Sequence, residues 1–408
     1  MQKPLIILGA GLAGWTTVRE FRKLDTCTPV LLITADSGDF YAKPALSNAF
    51  AQRKTAAQLV TTPAAKMAET LNVKLLQRTR VTAIDPLAQT VSSSQGQFGY
   101  RALVLASGAQ PIRLPLAGDA AERVLSVNSL DDFAAFHRQL QPGSRVLIMG
   151  AGLIGCEFAN DLAAAGHRVS VVDPAELPLA ALLPEDASAQ LRNALAAQGV
   201  TWHFRATVQA IEPDADGLRA TLSNGAVIPA DTVLSAIGLR ADTTLAQAAG
   251  LRCERGIVVD RRLQTSAPGI YALGDCAQYA SANHRTLPYV MPIMSAARVL
   301  AAKLAGQVAE LVFPLMPVAI KTPALPIVVA APAPGLAGQW QGHEPGLWQF
   351  VGAEGRQHGF VLTGPQTARR AEQVKQTAIP AVRPSPLMPR LSLYASTVVS
   401  QRFQIRTP

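Results

Sequence analysis

The 408-residue sequence is poor in cysteine, aromatic residues and charged residues. Its four cysteines, Cys27, Cys156, Cys253 and Cys276, form no CxxC pair or other closely spaced set. Redox-active dithiols and zinc sites need such spacing, so we expect neither a dithiol centre nor a metal site. Free thiols of this kind are typical of a protein in the reducing cytoplasm, which is the location that we expect.

Aromatic residues make up only 5% of the chain, and no segment alternates them with lysine or arginine. Proteins that bind single-stranded nucleic acid use basic and aromatic side chains together. The net charge of +9 therefore gives little support to a nucleic-acid partner. A basic surplus is also typical of proteins that bind a membrane surface or an acidic protein.

The sequence also has no long apolar run. No stretch reaches 18 uninterrupted apolar residues, and the best candidate, residues 325–337, is interrupted by prolines. We therefore expect no membrane-spanning helix. Apolar residues nevertheless make up 49% of the chain, which excludes an intrinsically disordered protein and allows a sizeable core. A chain of this length typically folds into about two or three domains.

Two glycine-rich motifs repeat one design, the first near the N-terminus and the second in the middle of the chain. Their glycines are Gly9, Gly11 and Gly14 in the first motif and Gly150, Gly152 and Gly155 in the second. Each motif follows an apolar run and opens an amphipathic stretch of helical length, after which a β-branched run begins. This order predicts two dinucleotide-binding βαβ units. Two dinucleotides imply an electron-transfer flavoenzyme that holds FAD and a nicotinamide.

The three glycines of each motif have separate roles. The first makes a tight turn, the second lets the backbone approach a pyrophosphate, and the third lets the helix pack close to the strand. The pyrophosphate then lies at the helix N-terminus, where free N–H groups and the helix dipole favour anions. In the first unit this N-terminus begins at Leu12, which we expect to contact FAD.

An acidic residue near the end of the second strand is expected to bind each ribose. Asp173 has this position in the second unit, and its carboxylate would repel a 2′-phosphate. No arginine occurs in residues 174–176, so NADH is favoured over NADPH. In the first unit, Asp36 follows its strand later than usual. It is either the FAD ribose ligand or a solvated loop residue.

Further segments resemble the NADH-dependent rubredoxin reductases, a family of two-dinucleotide flavoprotein reductases. Residues 41–47 are similar to the segment in which these enzymes place a lysine near the flavin. Residues 270–275 resemble the second FAD motif, whose aspartate receives hydrogen bonds from the ribityl chain. Residues 289–292 precede an apolar helix whose N-terminus faces the pyrimidine end of the flavin. Residues 316–323 resemble the opening of the small C-terminal domain.

The resemblance implies the residues that contact the flavin. Asp275 would bind the ribityl chain, and Lys43, Lys321, Val290 and the backbone of Val81 would be further flavin contacts. The alternatives are that Asp275 caps the next helix, that both lysines are solvated, and that Val81 is a buried valine ending a strand.

Glu157 is the second residue to which the resemblance gives a catalytic role, beside Lys43. It follows the second glycine turn and would lie near both the flavin and the nicotinamide. Paired with Lys43, it would tune the flavin and order the hydride donor. The alternative is an acidic residue in the first turn of a helix that only complements the helix dipole.

The fold implied is α/β, with two Rossmann-like dinucleotide-binding domains and a small α+β C-terminal domain. We expect an FAD-binding domain of residues 1–112 and 242–310, with an NAD-binding domain of residues 113–241 inserted between them. The C-terminal domain would comprise residues 311–377. Residues 378–408 contain five prolines, four arginines and no acidic residue. We expect this tail to be disordered.

The reaction implied is NADH:rubredoxin oxidoreduction, in which a hydride passes from NADH to FAD and single electrons pass on to rubredoxin. Rubredoxins are small acidic iron proteins, which agrees with the basic charge of the chain. One alternative is an NADH-dependent reductase that supplies a [2Fe–2S] ferredoxin of an oxygenase system. Another is a redox-responsive protein that binds FAD and NADH without useful turnover. A peroxidase is disfavoured because Asn48 stands where such relatives carry a cysteine.

Overall fold

In the computed structural model, residues 2–378 are described, and the N-terminal part of the chain alternates apolar strands with helices. The first elements are β1 (Leu5–Leu8), α1 (Leu12–Arg22), β2 (Val30–Ile33), a 3₁₀ helix (Lys43–Asn48), α2 (Ala56–Leu59), α3 (Ala64–Thr70), β3 (Lys74–Leu76), β4 (Val81–Asp85), β5 (Thr90–Ser93), β6 (Gly96–Gly99), β7 (Ala102–Leu105) and β8 (Ala109–Pro111). Every residue of β1, β2 and β7 is buried, as expected for parallel strands covered on both faces.

The middle of the chain repeats this arrangement around the second glycine motif. Its elements are a 3₁₀ turn (Ala121–Arg123), α4 (Leu130–Gln139), β9 (Arg145–Met149), α5 (Leu153–Ala164), β10 (Arg168–Asp173), α6 (Glu185–Ala196), β11 (Thr201–Phe204), β12 (Val208–Asp214), β13 (Gly217–Leu222), β14 (Val227–Ala230), β15 (Thr232–Ser235) and β16 (Leu239–Ala241). Four of these strands form a parallel sheet in the order β11-β10-β9-β15, and β12, β13 and β14 form an antiparallel sheet.

The remaining elements complete the first sheet and build a third unit. They are α7 (Thr244–Ala248), β17 (Ile257–Val259), β18 (Ile270–Ala272), a 3₁₀ turn (Gly274–Cys276), β19 (Ala277–Tyr279), a 3₁₀ turn (Ala280–Ala282), α8 (Val290–Leu304), β20 (Val318–Ile320), β21 (Ile327–Ala330), β22 (Gly338–Glu344), β23 (Leu347–Gly352), β24 (Gln357–Thr363), a 3₁₀ helix (Gly364–Arg369) and α9 (Arg370–Gln376). Among the described residues, no helix is long and apolar enough to cross a lipid bilayer.

The sheet order shows that the chain leaves the first parallel sheet and later returns to it. Strand β18 pairs with β7, which gives the five-stranded order β18-β7-β1-β2-β3. The antiparallel pair of β8 and β16 lies at the two points where the chain passes between the parallel sheets. The predicted α/β class is therefore confirmed. The domain boundaries expected from the sequence stay predictions.

The C-terminal sheet has the order β20-β21-β24-β23-β22 and packs against the second parallel unit. One apolar cluster contains Phe158 of α5 and Leu191 of α6 together with Trp348 and Val361 of this sheet. This shared core fixes where the segment after β20 lies relative to α5. The predicted disordered tail lies, after its first residue, outside the part of the chain that the structure describes.

Candidate active site

The two glycine turns have the same backbone geometry. Gly9 and Gly150 have φ angles of +107° and +104°, which favour glycine. A Cβ atom at Gly9 would lie 2.2 Å from the carbonyl oxygen of Ala106, and one at Gly150 would lie 2.7 Å from that of Ala236. Both contacts are shorter than a carbon and an oxygen allow. The first position of each turn therefore requires glycine.

The third glycine of each turn brings the helix against the strand that precedes it. A Cβ atom at Gly14 would lie 1.9 Å from the carbonyl oxygen of Gly9, and one at Gly155 would lie 1.9 Å from that of Gly150. A side chain at either position would push the helix away. The close packing expected from the motif is therefore present in both units.

The second glycine of each turn faces open space. A Cβ atom at Gly11 or Gly152 would meet no atom within 4 Å. Both residues are N-cap positions, and no side chain caps α1 at Leu12 or α5 at Leu153. The first N–H groups of each helix are therefore available to an anion. This geometry fits one pyrophosphate at each turn.

Asp173 lies beside the second glycine turn, as its spacing predicts. It is the last residue of β10, and its Oδ2 accepts a hydrogen bond of 2.6 Å from the N–H group of Ala151. Its Oδ1 accepts another of 2.8 Å from the N–H group of Ala175. The carboxylate is thus held in place by the backbone. Each oxygen keeps a further lone pair for a ribose hydroxyl.

The loop that follows Asp173 also has an arginine side chain beside it, which the sequence did not indicate. The backbone N–H group of Arg205 donates to the carbonyl oxygen of Ala175 at 3.0 Å. The Arg205 guanidinium forms an exposed ion pair of 2.7 Å with Glu176. Arg205 follows β11, the neighbour of β10, and is therefore far in sequence from the residues just after Asp173. The available signal was that adjacent parallel strands end at the same edge of a sheet.

The acidic residue of the first unit has a local role. β2 ends at Ile33, and Asp36 lies in the turn that follows. Its Oδ1 accepts hydrogen bonds from the Thr34 hydroxyl at 2.5 Å and from the N–H group of Gly38 at 2.9 Å. One oxygen therefore stabilises the turn. The assignment of Asp36 as a ribose ligand stays a prediction.

Val81 is buried, as the sequence analysis expected, but its place in the strand differs. It is the first residue of β4 rather than the last residue of a strand. The chain before it passes along the turn after β2, because the N–H group of Thr79 donates to the carbonyl oxygen of Thr34. The backbone at Val81 therefore follows a segment that lies close to the first dinucleotide unit.

Glu157 is the centre of a buried polar network that joins three parts of the chain. Its side chain is 1% exposed, and its Oε2 accepts a hydrogen bond of 2.6 Å from the Ser47 hydroxyl. The same oxygen lies 2.5 Å from the Nζ atom of Lys321, whose backbone N–H group donates to Oε1 at 2.9 Å. Lys321 Nζ also donates to the carbonyl oxygen of Pro44 at 2.5 Å. The buried carboxylate is therefore fully paired.

The expected pairing of Glu157 with Lys43 is wrong in this structure. Lys321, which follows β20, occupies both oxygens of Glu157. The Nζ atom of Lys43 donates instead to Asn128 Oδ1 at 3.0 Å, and Asn128 in turn donates to the carbonyl oxygen of Ala109. The structure thus pairs Glu157 with Lys321 rather than with Lys43. Ser47, which the sequence analysis did not select, joins the same network.

Asp275 lies in the 3₁₀ turn after β18, as the second FAD motif predicts. Burial raises the pKa of its carboxyl, and the nearby positive charge of Lys43 lowers it. No described group donates a hydrogen bond to this carboxylate, so its oxygens are available to hydroxyl groups of a ligand. The effect of Lys43 on this pKa shows that the two side chains are close enough for their charges to interact.

Val290 is the first residue of α8, and no side chain caps this helix. Helix α8 packs against α1 and against the 3₁₀ turn that holds Asp275. Tyr289, Val290 and Met291 are all partly exposed at its N-terminus. The helix N-terminus that the resemblance assigns to the flavin thus lies in the same part of the fold as the first glycine turn.

The buried thiols have environments that make them poor nucleophiles. Cys156 and Cys276 have no exposed surface, and burial raises the pKa of both thiols, that of Cys276 to about 11. The thiolate is the reactive form of cysteine, so neither group is activated at neutral pH. Within residues 2–378, no group of three or more histidine, cysteine, aspartate or glutamate side chains is arranged to hold a metal ion.

The two glycine turns have matching geometry, and together they define a protein that holds two dinucleotides. An ion pair joins the helix after the second turn to the C-terminal unit. The chain belongs to the pyridine nucleotide-disulphide oxidoreductase family, whose model matches residues 3–298. Residues 310–377 match a second family model, described as the rubredoxin binding C-terminal domain.

Curated relatives resemble the chain over almost all of its length. A rubredoxin-NAD(+) reductase of Alcanivorax borkumensis is 44% identical over 93% of this chain and 100% of its own. A nitric oxide reductase FlRd-NAD(+) reductase of Aeromonas salmonicida is 41% identical over 92% of this chain and 97% of its own. Among solved structures, the ferredoxin reductase for the CYP199A2 system from Rhodopseudomonas palustris superimposes with a TM-score of 0.83. It shares 25% identity over 92% of this chain and 96% of its own.

These matches confirm the resemblance to rubredoxin reductases that the motifs indicated. They also confirm the prediction of FAD and NADH as the two dinucleotides and of an oxidoreductase.

Proposed function

We propose that this chain is an NADH-dependent reductase of rubredoxin. The observation that carries the proposal is the match of residues 310–377 to the rubredoxin binding domain. This unit supplies Lys321, which pairs with Glu157 directly after the second glycine turn. The partner-binding unit and the nicotinamide-binding unit thus contribute to one polar network.

The first dinucleotide unit is suited to hold FAD, which would accept a hydride from NADH and release single electrons to an iron protein. The N–H groups behind Gly11 would bind the pyrophosphate. Asp275 would accept hydrogen bonds from the ribityl hydroxyls, because no described group already donates to it. The N-terminus of α8 at Val290 and the ammonium group of Lys43 would place positive charge near the flavin ring.

The second unit would hold NADH. The turn at Gly152 would bind its pyrophosphate, and Asp173 would accept hydrogen bonds from its ribose. Glu157 and Lys321 would then act as positioning residues, since their network fixes α5 against the other two units. The nicotinamide must be held at near-attack distance for transfer, and such alignment is the main demand on this protein.

A cytoplasmic location is part of the proposal. The described residues contain four free cysteines, and thiols of this kind persist in a reducing compartment.

The test is an anaerobic titration with NADH followed by rapid mixing with oxidised acceptors. NADH is expected to reduce the bound flavin. The reduced protein is then expected to reduce rubredoxin faster than a [2Fe–2S] ferredoxin by about tenfold or more, equivalent to about 1.4 kcal/mol of discrimination. Free FAD and NADPH serve as controls in the same mixing experiment.

The contrary outcomes identify the alternatives. Faster reduction of the ferredoxin would favour an oxygenase-linked reductase, in line with the name of the Rhodopseudomonas palustris neighbour. Flavin reduction without steady-state turnover on either acceptor would favour a redox-responsive binding protein.

A further inference from the structure

The loop after β10 carries two carboxylates and one guanidinium from separate parts of the chain. Asp173 ends β10 at the start of the loop, Glu176 lies on the loop, and Arg205 reaches Glu176 from the end of β11. The backbone of Arg205 is fixed there, because its N–H group donates to Ala175 and that of Ala206 donates to Asp173. The φ angle of Arg205 is +55°, which is uncommon for a residue other than glycine. The backbone of Arg205 is therefore held beside the loop, and its guanidinium reaches Glu176.

The three charged side chains of this loop sum to a net charge of −1. Asp173 and Glu176 contribute two negative charges, and Arg205 contributes one positive charge. The ion pair of Glu176 and Arg205 is exposed, with side chains 68% and 72% accessible, so it is easily exchanged for another partner. A phosphate monoester carries about −1.5 to −2 charges at neutral pH and binds arginine through two parallel hydrogen bonds. Such a group would compete with Glu176 for Arg205.

We propose that Glu176 determines nucleotide specificity together with Asp173, by occupying the one arginine of this loop that would otherwise bind a 2′-phosphate. The inference rests on the proposed function, in which the second unit holds NADH. Asp173 repels the phosphate, and Glu176 neutralises the cation that would attract it. Discrimination against NADPH thus combines repulsion by Asp173 with the pairing of Arg205 by Glu176. The sequence around Asp173 indicates only the repulsion.

The test is calorimetric titration of the FAD-loaded protein with 2′,5′-ADP and with 5′-ADP at low ionic strength. These probes differ in their phosphate positions and measure binding without turnover. Glu176→Gln is expected to tighten 2′,5′-ADP by about three- to tenfold relative to 5′-ADP, the size of one partly screened charge contact. The double variant with Arg205→Gln is expected to lose this gain. Glu212→Gln, which breaks the exposed pair with Arg219 in the same unit, is the matched control and should show no gain.

The outcomes separate the two levels of the proposal. If the parent binds 5′-ADP but Glu176→Gln leaves the affinity ratio unchanged, the role of Glu176 is wrong and the nicotinamide site stands. If Glu176→Gln and the double variant with Arg205→Gln bind 2′,5′-ADP with the same gain in affinity, the role of Arg205 is wrong. If the parent binds neither nucleotide, the NADH site at the second turn is wrong, and this inference fails with it.

Discussion

At the scale of single residues, Asp275 is a carboxylate that the fold places but does not pair. Burial raises the pKa of its carboxyl, while the charge of Lys43 lowers it. No described group donates a hydrogen bond to its oxygens. A polar group removed from water without a hydrogen-bond partner costs free energy. Hydrogen bonds donated by a ligand to Asp275 would therefore stabilise the complex.

We expect Asp275→Ala to weaken FAD retention. Each hydrogen bond to a charged group contributes about 1.5–3 kcal/mol, so the dissociation constant should rise by about tenfold to a hundredfold. The measurement is fluorescence of FAD released on dilution. Asp119→Ala, at an exposed loop position, is the control. An Asp275→Ala protein that retains FAD as tightly as the parent would show that the second FAD motif is misassigned.

The cysteines give a second prediction at this scale. Replacing all four, with Cys27→Ser, Cys156→Ala, Cys253→Ser and Cys276→Ala, should leave reduction of the flavin by NADH intact. Burial raises the pKa of the Cys156 and Cys276 thiols, so neither provides a reactive thiolate at neutral pH. Rapid mixing with NADH under anaerobic conditions measures this step. Loss of flavin reduction in a variant that still binds FAD would indicate a thiol intermediate.

At the scale of elements, one face of α5 joins the three units. Glu157 contacts Ser47 and Lys321, and Asn160 Oδ1 accepts a hydrogen bond from the N–H group of Ala324. Asp161 accepts hydrogen bonds from the backbone N–H groups of residues 50 and 51. These polar contacts lie on the helix that opens at the second glycine turn. The helix therefore sets the position of the second dinucleotide unit relative to the rest of the protein.

We expect Glu157 and Lys321 to be energetically coupled. Glu157→Gln should cost about 1–3 kcal/mol of unfolding free energy, because Lys321 loses its charged acceptor while remaining only 30% exposed. Lys321→Met should cost a similar amount, and the double variant with Glu157→Gln should cost less than the sum of both.

Denaturant unfolding measures this cycle, and the rate of flavin reduction by NADH is measured in parallel. The exposed pair of Glu212 and Arg219 provides the matched control cycle, for which about 0–1 kcal/mol of coupling is expected. Purely additive effects of Glu157→Gln and Lys321→Met, with unchanged flavin reduction, would contradict the positioning role.

At the scale of the whole molecule, the net charge of +9 favours an acidic electron acceptor. Oppositely charged partners associate about 10 to 1,000 times faster at low ionic strength. The screening length falls from about 10 Å at 0.1 M salt to about 3 Å at 1 M. We therefore expect the second-order rate of rubredoxin reduction to fall as salt rises, while reduction of the flavin by NADH changes little. A salt-independent acceptor rate would remove the electrostatic argument.

Truncation after residue 378 extends this test to the tail. Four of the basic residues lie beyond that point and no acidic residue does, so the truncated chain keeps a net charge of +5. Most of the salt dependence should therefore remain. A truncated protein whose acceptor rate no longer responds to salt would place the steering charges in the tail instead.

Local motifs allowed much of the fold and site to be predicted. The glycine spacing, the apolar runs before it and the β-branched runs after it predicted both βαβ units, with Asp173 at a strand end. Each of these features depends on neighbours within one supersecondary unit, where steric rules on backbone angles and helix packing leave few alternatives. Asp275 was selected instead through the resemblance of residues 270–275 to the second FAD motif of the family, and it lies in the turn directly after β18.

The contacts that complete the site required the folded chain. Lys321 and Glu157 are 164 positions apart, and Lys43 and Asn128 are 85 apart. Arg205 meets Glu176 only because β11 pairs with β10 in parallel. No periodicity or spacing specifies which of several lysines reaches a given carboxylate. That choice depends on how the C-terminal sheet packs its apolar face against α5 and α6, and only the tertiary structure decides it.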